Sequence, residues 1–141
     1  MSDVVTTQPS HLRVLVVEDE SLIRWSIAET LAEHGHSVVE ASSAASAVQA
    51  VNEASRPIDV VLLDLRLPDS STLDLLADIR RLTPESAVLM MTACGTPEVA
   101  RHALELGAYR VLDKPFDLHA LEHLVVEAHN AYGPPPVARP H

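Results

Sequence analysis

Three short runs of consecutive apolar residues constrain this chain more than any other feature of its sequence. They lie in Arg13–Val17, Val60–Leu63 and Ala87–Met91, and within each the apolar residues are continuous rather than alternating. A strand with one face in water would alternate apolar with polar residues, so continuous runs predict strands that are buried on both faces. Such strands are typical of a parallel sheet that helices cover on both sides.

Two further segments, Ser37–Ala41 and Tyr109–Leu112, are weaker strand candidates, and a helical pattern follows each of the five strands. Connections between parallel strands of one sheet are right-handed crossovers, so five successive strand–helix units predict a doubly wound α/β fold. In such folds the binding and catalytic residues gather at the carboxyl ends of the strands, near the topological switch point.

Several helices carry start and stop signals at their ends. We expect Ser21 to cap the first helix, which would end near Gly35. The segment Thr96–Glu98 predicts an N-cap, a proline at the first helical position and an acidic first turn, and Gly107 would end that helix. Asp117 is expected to cap the last helix, whose inner stripe would be Leu118, Leu121, Val125 and Ala128.

The two ends of the chain differ from this pattern. Residues 1–10 are polar, and residues 133–141 contain Pro134, Pro135, Pro136 and Pro140. We therefore expect a disordered N-terminal extension over residues 1–10 and a Pro-rich tail or linker over residues 133–141. One compact domain is expected over residues 11–132.

The composition narrows the class of protein. At 47% hydrophobic and 3% aromatic residues, the core must be mostly aliphatic. The net charge of −10 argues against binding to nucleic acid or to anionic membranes, and favours a divalent cation or a basic surface of a partner. The single cysteine, Cys94, favours a reducing compartment and is expected to be a small buried residue. Because neither a signal peptide nor a membrane-spanning run is present, a cytoplasmic location is expected.

Acidic, hydroxyl and basic side chains follow four of the predicted strands. Glu18-Asp19-Glu20 follows the first strand, Asp64 the third, Thr92 the fourth and Lys114 the fifth. Taken singly, each could be a helix cap, a strand-end hydroxyl or a solvated charge. Because the carboxyl ends of parallel strands meet at one edge of a sheet, we expect all of them at one rim.

Carboxylates that meet at such a rim require a cation. Two of them about 4 Å apart repel each other by about 4 kcal/mol at an effective dielectric constant near 20. Mg²⁺ favours a few carboxylates together with water and phosphate oxygens. Together with Lys114 it would neutralise the carboxylate charge, so that a phosphoryl group could approach. A carboxylate can serve as the covalent nucleophile and become an aspartyl phosphate. The sequence therefore predicts a Mg²⁺-assisted phosphorylation site.

This pattern resembles the receiver domain of two-component response regulators, of the CheY-like type, over residues 11–130. Thr92 lies 28 residues after Asp64, and Lys114 follows 22 residues later, which is similar to the spacing in that family. The matching stretches, in order, are Val14–Glu20, Val61–Pro68, Met91–Ala93, Gly107-Ala108 and Lys114–Phe116.

The resemblance implies a flavodoxin-like, five-stranded parallel sheet in the order 2-1-3-4-5 with five helices. It also implies that Asp64 accepts a phosphoryl group from a sensor histidine kinase or a phosphotransfer protein. Asp19 and Asp64 would bind Mg²⁺ directly, Glu18 would act on the metal mainly through water, and the backbone carbonyl of Arg66 would complete the set. The chain would then be a phosphoacceptor rather than an enzyme, with at most self-phosphorylation from small phosphodonors and self-dephosphorylation.

The remaining residues of the motif imply further roles. Lys114 would pair with a phosphoryl oxygen, Thr92 would hydrogen-bond another, and the small Ala93 would leave room for the group. The Lys114–Pro115 peptide is expected to be cis. Phosphorylation would change the face formed by the helix from Pro97, the strand from Tyr109 and the helix from Leu118. A downstream effector, or a second copy in a homodimer, would bind that face.

The chain departs from the family pattern at two positions. Val111 stands three residues before Lys114, where the family usually has Tyr or Phe as a rotameric switch. Alternation along a strand suggests that Tyr109 shares the face of Val111. Thr72 stands in the loop after Asp64 where the family commonly has glycine, and it could stiffen or reshape that loop.

Two surface features stand apart from the motif. His119 and His123 are four residues apart on the predicted last helix, but with no further ligand near them in the sequence a solvated surface is the favoured interpretation. Trp25 falls off the inner stripe of the first helix and is expected to pack under a loop near the acidic segment. Ile23-Arg24-Trp25 is similar to receivers of nitrogen-regulator-type transcription activators.

Other classes of function are less well supported. A Mg²⁺-dependent phosphatase or phosphotransferase with an aspartyl phosphate usually carries a second Asp two residues after its nucleophile, and here that position is Arg66. A receiver-like scaffold that is never phosphorylated would not need the complete set of acidic, hydroxyl and lysine residues. Neither a G-x-G-x-x-G segment nor a P-loop is present for nucleotide binding. A free-standing receiver and one excised from a longer regulator both stay open.

Overall fold

The computed structural model describes residues 11–93 and 95–132. The expectations for residues 1–10, for Cys94 and for residues 133–141 therefore concern positions outside the described residues. In the described part of the chain, no helix has both the length and the apolar character needed to cross a membrane.

The main sheet has five parallel strands. They are β1 (Arg13–Val17), β2 (Ser37–Ala41), β3 (Val60–Asp64), β4 (Ala87–Thr92) and β5 (Arg110–Asp113). Their spatial order is β2-β1-β3-β4-β5, and every neighbouring pair is parallel. This confirms the predicted topology, in which the order reverses between β1 and β3, so the carboxyl ends of those two strands flank the switch point.

Five helices connect or follow these strands within the described residues. They are α1 (Ser21–Glu33), α2 (Ala44–Glu53), α3 (Thr72–Leu82), α4 (Pro97–Glu105) and α5 (Leu118–Tyr132). The loop after β3 also contains a small antiparallel pair, Arg66–Leu67 with Ser70–Ser71, which the sequence did not predict.

The sheet separates two apolar cores because alternate residues of each buried strand point to opposite faces. On one face Leu15, Val61, Leu63, Val88 and Met90 pack with α2, α3 and α4. On the other face Val14, Val16, Leu62, Leu89 and Met91 pack with α1 and α5. Strands β1, β3 and β4 are thus covered on both sides, which is why their apolar runs are continuous.

The helix caps follow the predictions with one exception. Thr96 caps α4, with its hydroxyl oxygen accepting a hydrogen bond of 3.2 Å from the Val99 N–H. Asp117 precedes α5 and accepts 2.9 Å from the His119 N–H. The prediction that Ser21 caps α1 is wrong, because Glu20 occupies the N-cap and its carbonyl accepts the first helical bond, 2.9 Å from the Arg24 nitrogen.

Candidate functional site

The carboxyl ends of β1, β3 and β4 place three polar side chains in the interior of the rim. Glu18 follows β1 and has no exposed surface, Asp64 ends β3 and is 4% exposed, and Thr92 ends β4 and is 3% exposed. Asp19, the next residue after Glu18, is exposed. Buried carboxylates are costly unless a charge or hydrogen-bond donors compensate them. This rim must therefore contain a compensating group.

Lys114, the only lysine in the sequence, supplies that compensation. Its Nζ donates a hydrogen bond of 2.8 Å to Glu18 Oε1 and lies 3.3 Å from Asp64 Oδ2. The Lys114–Pro115 peptide is cis, as expected. The sequence-predicted acidic and basic residues, which lie as far apart as 96 positions in the chain, therefore meet at one point.

The two ends of the Glu18–Lys114 pair respond to burial and charge in different ways. Burial raises the pKa of the Glu18 carboxyl, and the nearby Asp64 charge adds to this, although the hydrogen bond from Lys114 works in the opposite direction. For Lys114 burial alone would lower the pKa. The hydrogen bond to Glu18 and the charges of Asp64 and Glu18 outweigh that effect, so the pKa of Lys114 lies above its usual value. The ammonium is thus held in its charged form between two carboxylates.

The same rim has the donor set of a divalent metal site. Glu18, Asp19 and Asp64 each offer an oxygen, and these oxygens lie within 4.8 Å of one another. Carboxylate oxygens at such spacing suit a hard cation such as Mg²⁺, which takes one or two carboxylates and fills its other positions with water and phosphate oxygens. The Arg66 backbone also approaches this point, since its N–H donates 3.1 Å to Asp64 Oδ1.

Arg24 is a site residue that the sequence did not single out for a role. Its Nη1 donates a hydrogen bond of 2.7 Å to the backbone carbonyl of Glu18, and its Nε donates a hydrogen bond of 3.1 Å to Glu40 Oε1 on β2. The guanidinium therefore fixes the loop that carries the acidic residues. Predicting this contact requires knowing that the residue after β1 lies beside the end of β2, which only the strand pairing supplies.

The segment after β4 lies directly over Thr92. The Thr92 carbonyl accepts 2.7 Å from the Lys114 backbone N–H, which ties the end of β4 to the lysine that follows β5. A Cβ on Gly95 would lie 2.7 Å from the Thr92 Cγ2 methyl, so the backbone passes over this threonine with no room for a side chain. Ala93, between them, is exposed at the mouth of the site.

The expectation that Tyr109 shares the face of Val111 is wrong. Val111 packs with the core under α2, α3 and α4, whereas Tyr109 packs with the core under α1 and α5. The Tyr109 hydroxyl donates 2.8 Å to Glu127 on α5. The reason is local, because Tyr109 lies at a bend before β5 begins at Arg110, where strand alternation does not yet apply. Thr72 is the first residue of α3.

An apolar groove opens beside the acidic rim. It runs between α1 and the segment after β5, and its lining includes Leu22, Ile23, Pro115, Phe116 and Leu118. Lys114 and Ala93 line both this groove and the acidic rim. Leu22 is 73% exposed and Trp25 is 55% exposed, both on α1. The expectation that Trp25 packs under a loop is therefore wrong, and Leu22 gives the groove an exposed apolar border.

Comparison with known proteins places the chain among signalling proteins. The family model of the response regulator receiver domain matches residues 14–126. The response regulator protein PilR of Pseudomonas aeruginosa is 39% identical over 120 residues, which are 84% of this chain and 26% of PilR. The DNA-binding transcriptional regulator NtrC of Escherichia coli is 36% identical over 119 residues, 84% of this chain and 25% of NtrC. The chain thus spans about a quarter of the length of these relatives.

Solved structures agree with the sequence comparison. A receiver domain protein from Clostridium thermocellum has a TM-score of 0.79 at 33% identity, over 85% of this chain and 95% of its own. A CheY-like receiver domain protein from Methanospirillum hungatei has a TM-score of 0.81 at 25% identity, over 87% of this chain and 97% of its own. Because the family model matches most of the chain and the fold matches as well, this chain belongs to the receiver domains of two-component response regulators.

Proposed function

We propose that this receiver domain is a phosphorylation switch in which Asp64 accepts the phosphoryl group. The observation that carries the proposal is the position of Asp64, a nearly buried carboxylate at the end of β3 that lies 3.3 Å from the ammonium of Lys114. Glu18 and Asp19 approach the same point from β1. A carboxylate in such a place is a suitable nucleophile once the charge around it is neutralised.

In the proposed step, an Asp64 carboxylate oxygen forms a bond to phosphorus while the bond from phosphorus to its donor breaks. The donor is a phosphohistidine nitrogen of a kinase or phosphotransfer protein, and the donor imidazole leaves. Lys114 would turn from Glu18 to a phosphoryl oxygen, and Thr92 would hydrogen-bond another. Glu18, Asp19, Asp64 and the Arg66 carbonyl would hold Mg²⁺, which when bound supplies charge neutralisation for the incoming phosphoryl oxygens.

Intact-mass measurement after incubation with acetyl phosphate and Mg²⁺ tests this proposal. We expect the wild-type chain to gain the mass of one phosphoryl group, and Asp64→Asn to gain none. Asp74→Asn, which removes an exposed carboxylate in the first turn of α3, is the matched control and should behave as the wild type. No mass gain in the wild type, or an equal gain in Asp64→Asn, would refute the assignment.

The proposal includes a protein donor that docks on the apolar groove beside the rim. A donor phosphohistidine must approach Asp64 through the mouth of the site. Leu22 on α1 lines the groove there with exposed apolar surface, and the exposed Trp25 lies three residues further along the same helix. The acidic residues around the mouth favour a donor with a basic border. This part of the proposal rests on the switch function above.

Comparing a small phosphodonor with a protein donor distinguishes an effect on docking from an effect on the phosphorylation reaction. We expect Leu22→Glu and Trp25→Ala to slow phosphotransfer from the histidine kinase or phosphotransfer protein, with little effect on phosphorylation by acetyl phosphate. Leu104→Glu, on α4 and 49% exposed, is the control. Equal slowing with both donors would indicate a damaged site, and no slowing with the protein donor would refute the docking surface.

The output of the switch is proposed to be the face of α4, β5 and α5. Tyr109 and Arg110 contact Glu127 across this face, at 2.8 and 3.5 Å, so a shift of β5 relative to α5 would change them. The partner would be an effector protein, an output domain like those in the longer relatives, or a second copy of the chain. Slow self-dephosphorylation would return the cytoplasmic switch to its resting form.

A further inference from the structure

We propose that His34, His119 and His123 form a binding site for a transition-metal ion, such as Zn²⁺ or Ni²⁺, which bridges the end of α1 and the start of α5. The site is separate from the acidic rim, and it does not depend on phosphorylation of Asp64. Neutral imidazole is a ligand that Zn²⁺ and Ni²⁺ favour and Mg²⁺ does not.

His34 supplies a ring nitrogen that is already prepared for coordination. Its Nδ1 lies 2.9 Å from the carbonyl oxygen of Thr30. Since a carbonyl only accepts, Nδ1 carries the hydrogen, and in the neutral ring Nε2 therefore keeps its lone pair. Histidines that bind metals commonly hold their other ring nitrogen on a carbonyl or carboxylate in this way. His34 is exposed and lies at the C-cap of α1, where the helix dipole favours a cation.

His119 brings a second imidazole to the same place from the first turn of α5. The ring centroids of His34 and His119 are 6.4 Å apart, with an angle of 72° between the planes. With metal–nitrogen bonds of about 2.0–2.1 Å, two imidazoles on one tetrahedral ion have centroids about 5–6 Å apart. Both side chains are exposed, so a modest change of side-chain torsion brings their nitrogens to a shared ion.

His123 lies one turn further along α5, on the face of His119. Residues four apart on a helix are neighbours on its surface, and two histidines at this spacing recur in helical zinc sites. Among the described residues only Glu18, Asp19 and Asp64 already have three ligand atoms within 4.8 Å of one another. The histidines are thus not already gathered around one point, and His123, which is exposed, would complete the site by rotation of its side chain.

The surroundings hold the two helices in place for such an ion. The buried His36 ring, two residues after His34, is 3.0 Å from Glu122 on α5, so the end of α1 is fastened to α5. Asp117 accepts the backbone N–H of His119 and places a negative charge at the positive end of α5, which lowers the cost of a cation there. A bound ion would clamp α1 to α5, one of the helices of the proposed output face.

The test is a Ni²⁺ titration of the full chain with the substitutions Asp19→Asn and Asp64→Asn, which disable the acidic rim. We expect one ion per chain by calorimetry, selective NMR broadening near the end of α1 and the start of α5, and a higher melting temperature with bound ion. Adding His34→Gln, His119→Gln or His123→Gln should weaken binding by about tenfold or more. His102→Gln, an exposed histidine on α4, should leave binding unchanged.

Three results would overturn the inference. One is the absence of saturable Ni²⁺ binding, both in this background and in the wild type with excess Mg²⁺, which covers the case that the rim substitutions disturb folding. Another is full affinity after His34→Gln, since binding would then need only the pair on α5 and no bridge. The last is equal loss after His102→Gln, which would indicate adventitious binding to surface histidines. None of these bears on phosphorylation of Asp64, which the mass experiment reports separately.

Discussion

At the scale of single residues, the rim is an arrangement in which one cation serves two carboxylates. Lys114 is 2.8 Å from Glu18 and 3.3 Å from Asp64, so in this structure its ammonium is closer to Glu18 than to the proposed phosphoacceptor. An incoming phosphoryl group would offer Lys114 new oxygens, and the lysine would then release Glu18. In the proposed switch, the first change would therefore be the exchange of one partner of the Lys114 side chain.

Arg24 is the residue on which the geometry of the acidic loop depends. We expect Arg24→Gln to lower Mg²⁺ affinity by about tenfold, because loss of a group that orients ligand residues typically has an effect of this order. The cause is the lost hydrogen bond of 2.7 Å to the Glu18 carbonyl. NMR titration with Mg²⁺ measures the change.

Two further variants identify which Arg24 contact matters. Glu40→Gln removes the ion pair of Arg24 but leaves the bond to the Glu18 carbonyl, so its Mg²⁺ affinity should stay close to that of the wild type. Arg81→Gln, an exposed arginine on α3, controls for the change in net charge. An Arg24→Gln variant that binds Mg²⁺ as Arg81→Gln does would contradict the role assigned to Arg24.

At the scale of elements, α5 is held by a buried polar contact with the turn between α1 and β2 as well as by its apolar stripe. His36 Nδ1 accepts a hydrogen bond of 3.1 Å from the Leu12 N–H. Its Nε2 therefore carries the hydrogen and donates a hydrogen bond of 3.0 Å to Glu122. The loop after β3 is attached to the start of α2 in a comparable way. The Asp69 carboxylate accepts hydrogen bonds of 2.8 and 3.1 Å from the Ala44 and Ala45 N–H groups. These bonds lower the pKa of Asp69. Polar contacts thus position both α5 and the loop that borders the rim.

We expect His36→Ala to reduce the free energy of unfolding by about 1–3 kcal/mol, because it leaves the Glu122 carboxylate and the Leu12 N–H buried without their partner. Chemical denaturation measures the loss. Glu122→Gln keeps an oxygen that can accept from His36, so it should lose less, and His102→Ala on the surface of α4 is the control. If His36→Ala proved as stable as His102→Ala, the contact between His36 and Glu122 would not contribute to the stability of the domain.

At the scale of the whole molecule, the chain has a net charge of −10, and part of its excess of acidic residues lies at the rim. Three carboxylates meet at one rim, and Lys114 pairs with two of them, those of Glu18 and Asp64. The fold therefore tolerates local repulsion at its functional edge, while the aliphatic cores on both faces of the sheet supply the stability.

Mg²⁺ should therefore stabilise the whole domain. Above the dissociation constant, each tenfold rise in Mg²⁺ concentration should raise the free energy of unfolding by about 1.4 kcal/mol, since the ion binds the folded rim and not the unfolded chain. Asp19→Asn should lose this dependence, whereas Asp74→Asn should keep it. Melting temperatures measured at constant ionic strength separate binding from screening. A rise that NaCl reproduces, or that persists in Asp19→Asn, would contradict Mg²⁺ binding at the rim.

The sequence by itself determined the architecture and the membership of the rim. Continuous apolar runs identify strands that are buried on both faces, and residues that follow parallel strands must meet at one edge. Glu18, Asp19, Asp64, Thr92 and Lys114 could therefore be grouped before any coordinates, as the structure confirms by their positions. Their roles in phosphoryl transfer stay predictions.

Only the tertiary structure decided which side chains meet across elements. Tyr109 turns toward α5 rather than toward the face of Val111, Arg24 reaches the Glu18 carbonyl, and His36 contacts Glu122, 86 positions away. Hydrophobic periodicity indicates which face of a helix or strand is buried. It does not indicate the orientation in which the helices pack against the sheet, or where a bend interrupts a strand. Those contacts depend on the packing of the whole domain, which no local stretch of sequence encodes.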